Sequence, residues 1–194
     1  MKKYLMISLL LSALFSSQLY ADSPATQINV DDLTIDNTEQ YAFVGVEYAY
    51  QNLEQTLESE DIYFPEVGQS LFGLRFGFQN RVWRTMFTYE DNFASYRAFL
   101  IEADRTVLAG MMGGKGRIYL GVSGGWIEYY GDRTILDDTV EFEDYGYAYG
   151  GNVGFMYYIT DRIDLSFEYR YLFTSSSYTL DTIQGPGIAL HYFF

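Results

Sequence analysis

The 194-residue sequence leaves room for one domain and little more. With no cysteine and a single histidine, His191, it excludes disulfides, zinc-thiolate and iron–sulfur centres, thiol nucleophiles, a lipoprotein anchor and histidine-rich metal sites, and no cofactor is expected. The formal charge is -14, or -16 once Lys2 and Lys3 are set aside, which excludes a basic surface for nucleic acid.

Aromatic residues make up 19% of the chain, yet mean hydropathy is only -0.09. Many rings without a long apolar run suit strands that alternate an apolar outward residue with a polar inward one, the pattern of a membrane barrel.

Lys2 and Lys3 precede an apolar run from Tyr4 to Phe15, and Ser16 to Ala21 follow as the cleavage region, with Leu19 larger than usual two positions before Ala21, the three parts of a secretory signal peptide. The run is about 12 residues, short of the roughly 20 that a membrane-spanning helix needs. Cleavage after Ala21 makes residues 1–21 the signal peptide. Residues 22–40, with Asp31, Asp32, Asp36 and Glu39, read as a flexible acidic periplasmic lead-in.

From residue 41 to 194 a period of two recurs in eight segments. The first sets Val44, Val46, Tyr48 and Tyr50 against Phe43, Gly45, Glu47 and Ala49. Phe72, Leu74, Phe76 and Phe78 then oppose Gly73, Arg75, Gly77 and Gln79, and Trp83, Thr85, Phe87 and Tyr89 oppose Arg84, Met86, Thr88 and Glu90. The fourth is the weakest, with Phe99, Ile101 and Ala103 against Ala98, Leu100 and Glu102. Ile118, Leu120, Val122 and Trp126 face away from Arg117, Tyr119, Gly121 and Ser123. In the sixth, Tyr147, Tyr149, Val153 and Phe155 oppose Ala148, Gly150, Asn152 and Gly154. The seventh is the clearest: Leu165, Phe167, Tyr169 and Tyr171 against Asp164, Ser166, Glu168 and Arg170. Ile188, Leu190, Tyr192 and Phe194 close the chain opposite Gly187, Ala189, His191 and Phe193.

Charge appears only on the second face of each segment, at Glu47, Arg75, Arg84, Glu90, Glu102, Arg117, Asp164, Glu168 and Arg170. A soluble barrel would hide its apolar parity and turn its charges to water. Here the charges share their parity with the glycines, as a narrow lumen filled by side chains requires. The expected fold is therefore all-β: a closed, antiparallel, eight-stranded, up-and-down transmembrane barrel. Trp83, Trp126, Tyr147 and Tyr171, near the ends of the apolar parity, are the expected interfacial aromatics.

Asn80–Arg81 and Thr160–Arg162 read as tight turns, whereas residues 51–68, 129–146 and 174–186 read as long loops. Short turns are periplasmic and long loops extracellular in bacterial barrels, which puts both termini in the periplasm. Residues 91–94 form a short outer loop and 106–114 a long, Gly-rich inner turn whose Val107, Leu108, Met111 and Met112 can extend the flanking strands. A hairpin centred on Phe93 sets Arg84 opposite Glu102, with Arg117 entering at similar depth. Glu47, Arg75, Glu168 and Arg170 share the lumen parity, so these seven residues are the expected lumen ion pairs.

The leader, the alternating segments and the closing run from Gly187 to Phe194 resemble the small outer-membrane barrels that include OmpX, the OmpA membrane domain and the opacity-type proteins. The resemblance covers about residues 41–194. It implies a Gram-negative outer-membrane location and makes Phe194, with Tyr192 two residues before it, a signal to the barrel-assembly machinery. A chain ending at Phe194 is also expected to lack a periplasmic domain of the kind OmpA carries.

Enzymatic chemistry is not expected. His191 is followed by Tyr192, not by the His-x-Ser pair of the eight-stranded deacylases, so no activated nucleophile adjoins it. Asp132, Asp137, Asp138, Glu141, Glu143 and Asp144 lack the spacing of an EF-hand loop and read as solvated. The glycines at 113, 114 and 116 lack the strand-loop-helix setting of a phosphate loop. Two functions remain: a membrane-anchored structural or adhesin-like scaffold, or a porin-like channel for small solutes or ions. An eight-stranded lumen is just wide enough for its own side chains, which favours the first. The expected partners are outer-membrane lipid and lipopolysaccharide, the assembly machinery and an extracellular ligand, with the protein itself a monomer.

Overall fold

The computed structural model describes residues 40–57, 62–63, 67–135, 138–175 and 180–194. The expected signal peptide and all of the expected lead-in but Gln40 lie outside the described residues. The chain runs β1 (Tyr41–Leu57), β2 (Ile62–Tyr63), β3 (Val67–Gln79), β4 (Trp83–Asp91), β5 (Tyr96–Met111), β6 (Gly116–Ile135), β7 (Asp138–Thr160), β8 (Ile163–Ser175) and β9 (Leu180–Phe193). Strands β1 and β3 to β9 pair antiparallel in sequence order, and β9 returns to β1, with Val46 against Leu190 and Ala49 against Gly187. That closure makes an eight-stranded barrel without free edges. The two-residue β2 pairs only with the end of β1, Thr56 against Tyr63.

The period of two becomes two surfaces. Phe76, Phe78, Phe87, Ile101 and Tyr147 stand exposed on the outer wall, while Glu47, Arg75, Arg84, Glu102 and Arg170 are buried inside. Cross-strand rings pack on the outer wall: Phe76 stacks on its register partner Phe87 at 5.2 Å between centroids, and Trp126 stacks on its diagonal neighbour Tyr145 at 5.7 Å. Such pairs stabilise neighbouring strands by roughly 0.2–1 kcal/mol each.

Strand lengths differ from the sequence reading at the loop end. The stretches 51–68, 129–146 and 174–186 are largely strand: β1 reaches Leu57 and β8 reaches Ser175, while β6 and β7 stay paired out to Ile135 and Asp138. Polar residues such as Asp132 and Thr139 break the apolar alternation without breaking the backbone ladder, because strand pairing is made by backbone groups and does not depend on side-chain parity. The acidic stretch 132–144 falls partly outside the described residues. At the other end β5 runs on to Met111, with register shifts at Thr106/Leu108 and Leu108/Met111 before the turn. In that turn Met112, Gly113 and Gly114 have φ of 51°, 72° and 92°, a left-handed run that the two glycines adopt without strain.

Strand β5 also lengthens the outward face beyond Phe99, Ile101 and Ala103. Arg97 and Arg105 end that face, and the Arg105 guanidinium lies 5.5 Å from the Trp83 ring. Eight residues at about 3.4 Å each, tilted by about 40°, separate them by roughly 20 Å along the barrel axis, close to the apolar band of such barrels.

Candidate functional site

Among the described residues, charge is concentrated away from water in the lumen, and three layers fill it. Toward the loops lies an apolar layer that includes Leu53, Leu71, Tyr96, Leu100, Ile127, Leu172 and Ile183. Toward the tight turns lies a second one built from Phe43, Met86, Tyr119, Met156, Tyr158 and Phe193. Between them sit the ionic side chains, which a desolvated interior tolerates only when they are paired and hydrogen-bonded.

Arg75 and Arg170 organise the centre. Arg75 Nη2 is 2.7 Å from Glu47 Oε1, and its Nε donates to Glu47 Oε2 at 2.9 Å. Its Nη1 and Nη2 also reach across the barrel to Glu168 Oε2 and Oε1, at 3.0 and 2.5 Å. Arg170 Nη2 meets Glu168 Oε1 at 2.8 Å, Glu102 Oε1 at 3.3 Å and Glu47 Oε1 at 3.5 Å, while its Nη1 donates to Glu90. Two forked guanidiniums are thus shared among four carboxylates. Neutral donors meet some of the remaining acceptor sites, Tyr119 Oη to Glu168 at 3.0 Å, Ser123 Oγ to Glu102 at 3.2 Å, and Thr88 to Glu102, while Glu90 Oε2 is buried without a hydrogen-bond partner.

A second pair sits nearer the turns. Arg84 Nε and Nη2 donate to Asp104 Oδ2 at 2.8 and 2.6 Å, and Asn152 Nδ2 donates to Asp104 Oδ1 at 3.1 Å. The Arg84 guanidinium also lies 4.5 Å from the Tyr119 ring. Room for this group comes from Gly121, where a Cβ would fall 1.9 Å from Asp104 Oδ1, and from Gly154, where one would strike the Tyr119 ring at 2.2 Å. Below it, His191 Nδ1 is 2.6 Å from Asp164 Oδ1, both buried.

The expected partner of Arg84 is therefore corrected. The β4–β5 hairpin turns one residue later than its Phe93-centred reading: Asp91 pairs with Arg97, so Arg84 faces Asp104 and Glu102 faces Met86. Asn92 causes the shift, its Oδ1 accepting the N–H groups of Ala94, Ser95 and Tyr96 at 3.0, 2.8 and 2.8 Å. The parity survives because paired positions slip by two. Glu102 consequently does not sit between Arg84 and Arg117 but binds Arg170. Arg117 lies 4.8 Å from the Tyr158 ring, with Nη1 3.4 Å from the Arg81 carbonyl oxygen, outside the central network.

Glu47, Arg75, Glu102, Glu168 and Arg170 come together. Sequence reasoning left Glu90 without a partner and missed Asp104 by ending the fourth segment at Ala103. Continued alternation from Ala98, Leu100 and Glu102 would have found it. On the outer wall, Trp83 lies at the turn end of β4, while Trp126 and Tyr147 pair across β6 and β7 toward the loops at 5.1 Å between rings. Tyr171 packs on Phe173 at 5.0 Å. Tyr192 and Phe194 point outward, and the Phe194 N–H donates to the Ala42 carbonyl oxygen at 3.1 Å. Among the described residues no group of three or more acidic or histidine side chains could hold a metal ion.

This is the fold of the small eight-stranded outer-membrane β-barrels. The chain is similar in structure to Neisserial surface protein A (NspA), at 14% sequence identity and a TM-score of 0.59, covering 79% of this chain and 97% of that one. It is also similar to outer membrane protein H (OprH) from P. aeruginosa, solved in DHPC micelles, at 18% identity and a TM-score of 0.52, covering 79% of this chain and 99% of that one. No family model and no curated protein sequence matches the chain.

Proposed function

We propose that the protein is a non-enzymatic, outer-membrane-anchored scaffold whose closed barrel holds an extracellular hairpin surface for adhesin-like contact. The observation that carries this reading is the three-layered lumen, in which paired charges lie between two apolar layers. A solute path would have to cross Leu53, Leu71, Leu172 and Ile183 at one end and Phe43, Met86 and Phe193 at the other. The contact surface is the end of the β6–β7 hairpin. Its pairing continues from Glu128, level with Arg97 beside the short β4–β5 loop, out to Ile135, about 24 Å of strand. In this reading the termini are periplasmic, Tyr192 and Phe194 serve the assembly machinery, and the protein acts as a monomer among outer-membrane lipids and lipopolysaccharide.

Planar-bilayer recording tests the plug. The folded protein should give no steady unitary conductance, whereas a wide and stable open level would replace the scaffold with a channel. Deleting residues 131–142 should then abolish adhesion of protein-bearing cells to the bound surface while leaving barrel assembly intact. Unchanged adhesion would move the contact surface elsewhere.

A further inference from the structure

The turn end of the outer wall carries an apolar patch beyond the last paired residue of β4. Strand β5 pairs with β4 only as far as Arg105 against Trp83, and the Thr106 N–H then donates to the Val82 carbonyl oxygen at 2.8 Å. Past that point β5 continues on β6 alone, through a bulge between Thr106 and Leu108. A bulge adds one residue to one strand and re-aims the side chains around it. Here it sets Leu108 opposite Ile118, a residue of the outward parity, so that Val107 and Leu108 both stand exposed just past Arg105. Val82 and Trp83 are exposed on the neighbouring turn and strand, and Met112 at the tip of the hairpin.

Met112 stands at a position better suited to glycine. It is 65% exposed at φ 51°, a left-handed conformation that costs a residue carrying a Cβ and that the adjoining Gly113 adopts freely. The surroundings are cationic. The three turns at this end, residues 80–82, 112–115 and 161–162, carry Arg81, Lys115 and Arg162 against one carboxylate, Asp161, in a chain whose net charge is -14. Lys115 and Arg162 are exposed, and the Arg105 guanidinium lies 5.5 Å from the Trp83 ring. Contiguous exposed apolar side chains with a polar rim mark a contact surface.

We infer that this patch is a membrane-interface anchor: Val107, Leu108 and Met112 enter the periplasmic leaflet beside the barrel wall, and Lys115 meets the phosphate of an anionic phospholipid there. The leaflet rests on the orientation proposed above, with the turns on the periplasmic side. Amphipathic surface elements hold a bilayer by placing apolar side chains among the acyl chains and cations at the phosphates. A lysine does the second while its stem lies along apolar surface. Two features select lipid over protein. The patch is continuous with the lipid-facing wall, since Leu108 pairs with Ile118 and Val107 follows Ile101, Ala103 and Arg105 along β5. A second copy, by contrast, would bring its own excess of turn cations against these. Anchored in this way, the β5–β6 hairpin sets how deeply the wall sits on this side.

Only two tryptophans exist, Trp83 and Trp126, and replacing both with Phe leaves a silent background. In that background Met112→Trp reports on the patch, and Phe93→Trp, on the exposed loop at the other end, is its control. Heat-modifiable mobility on gels verifies folding of each variant. As the phosphatidylglycerol fraction of phosphatidylcholine vesicles rises, acrylamide quenching of Met112→Trp should fall several-fold and quenching by lipid brominated near the headgroup should rise, with Phe93→Trp unchanged. Leu108→Ser should weaken this shielding, and Lys115→Glu should remove its dependence on phosphatidylglycerol. Acrylamide access at Met112→Trp equal to that at Phe93→Trp would overturn the anchor. Shielding that appears only at a high protein-to-lipid ratio would overturn it too, by giving the patch to a second copy. Shielding that ignores phosphatidylglycerol would overturn the headgroup assignment. Met112→Cys, the one thiol of its chain, tests the leaflet separately in cells. Its labelling by a membrane-impermeant maleimide in intact cells would overturn the periplasmic assignment and the orientation beneath it, whereas the vesicle result alone decides whether the hairpin enters lipid.

Discussion

Arg75 on β3 and Glu168 on β8 join opposite walls of the barrel through two parallel hydrogen bonds, 3.0 and 2.5 Å long, between residues 93 apart in sequence. Replacing Arg75 with Met leaves Arg170 as the one guanidinium in contact with Glu47 and Glu168. The expected cost is about 3–5 kcal/mol, because buried carboxylates then outnumber the cations that pair them. Adding Glu47→Gln and Glu168→Gln should recover part of it. Urea unfolding in lipid vesicles measures both, and a neutral Arg75→Met would show that water reaches the centre of the lumen.

The corrected register makes a sharper prediction. A double-mutant cycle on Arg84 and Asp104 should give a coupling of about 1–3 kcal/mol, whereas the cycle on Arg84 and Glu102 should give much less. Glu102→Gln should instead couple to Arg170, which its Oε1 meets at 3.3 Å. Stronger coupling of Arg84 to Glu102 than to Asp104 would restore the Phe93-centred hairpin.

On the outer wall, Phe76→Arg and Phe167→Arg each place a charge in hydrocarbon. Both should destabilise the inserted barrel by about 2–4 kcal/mol. Phe93 provides the contrast, being 80% exposed on the short loop, where Phe93→Arg should stay within about 0.5 kcal/mol. Equal effects at Phe76 and Phe93 would mean that the assigned membrane boundary is wrong.

Asn92 sets the turn that decides the register. Asn92→Ala removes an oxygen that accepts three backbone N–H groups and should cost about 1–2 kcal/mol. Phe93 holds φ at 59°, so Phe93→Gly should relieve local strain and partly offset that loss in the double variant. Hydrogen exchange at Tyr96 and Arg97 reads the change locally.

Deleting Phe194 tests the terminal signal. The side chain points outward at the end of β9 and makes no part of the lumen plug. The truncated chain should refold in detergent with little change but accumulate poorly in the outer membrane of cells. Equal amounts in cells would leave Phe194 with no role in assembly.

Which side of the sheet each strand residue occupies was legible before any tertiary structure. Alternation has a period of two, and lipid rejects charge, so Arg75, Glu102 and Glu168 could only turn inward while Phe76, Ile101 and Phe167 turned out. Strand order followed from the same segments, since short antiparallel connections pair neighbours in sequence. Partner choice did not follow. A slip of two positions preserves every face, so the alternation that places Arg84 in the lumen cannot distinguish Asp104 from Glu102; the hydrogen bonds of Asn92 do. Nor could periodicity join Arg75 to Glu168 or Arg170 to Glu90, because those contacts cross the lumen and depend on the stagger with which β9 closes onto β1. The length of the β6–β7 hairpin was hidden for a related reason: backbone pairing runs on to Ile135 and Asp138 where the side chains no longer alternate.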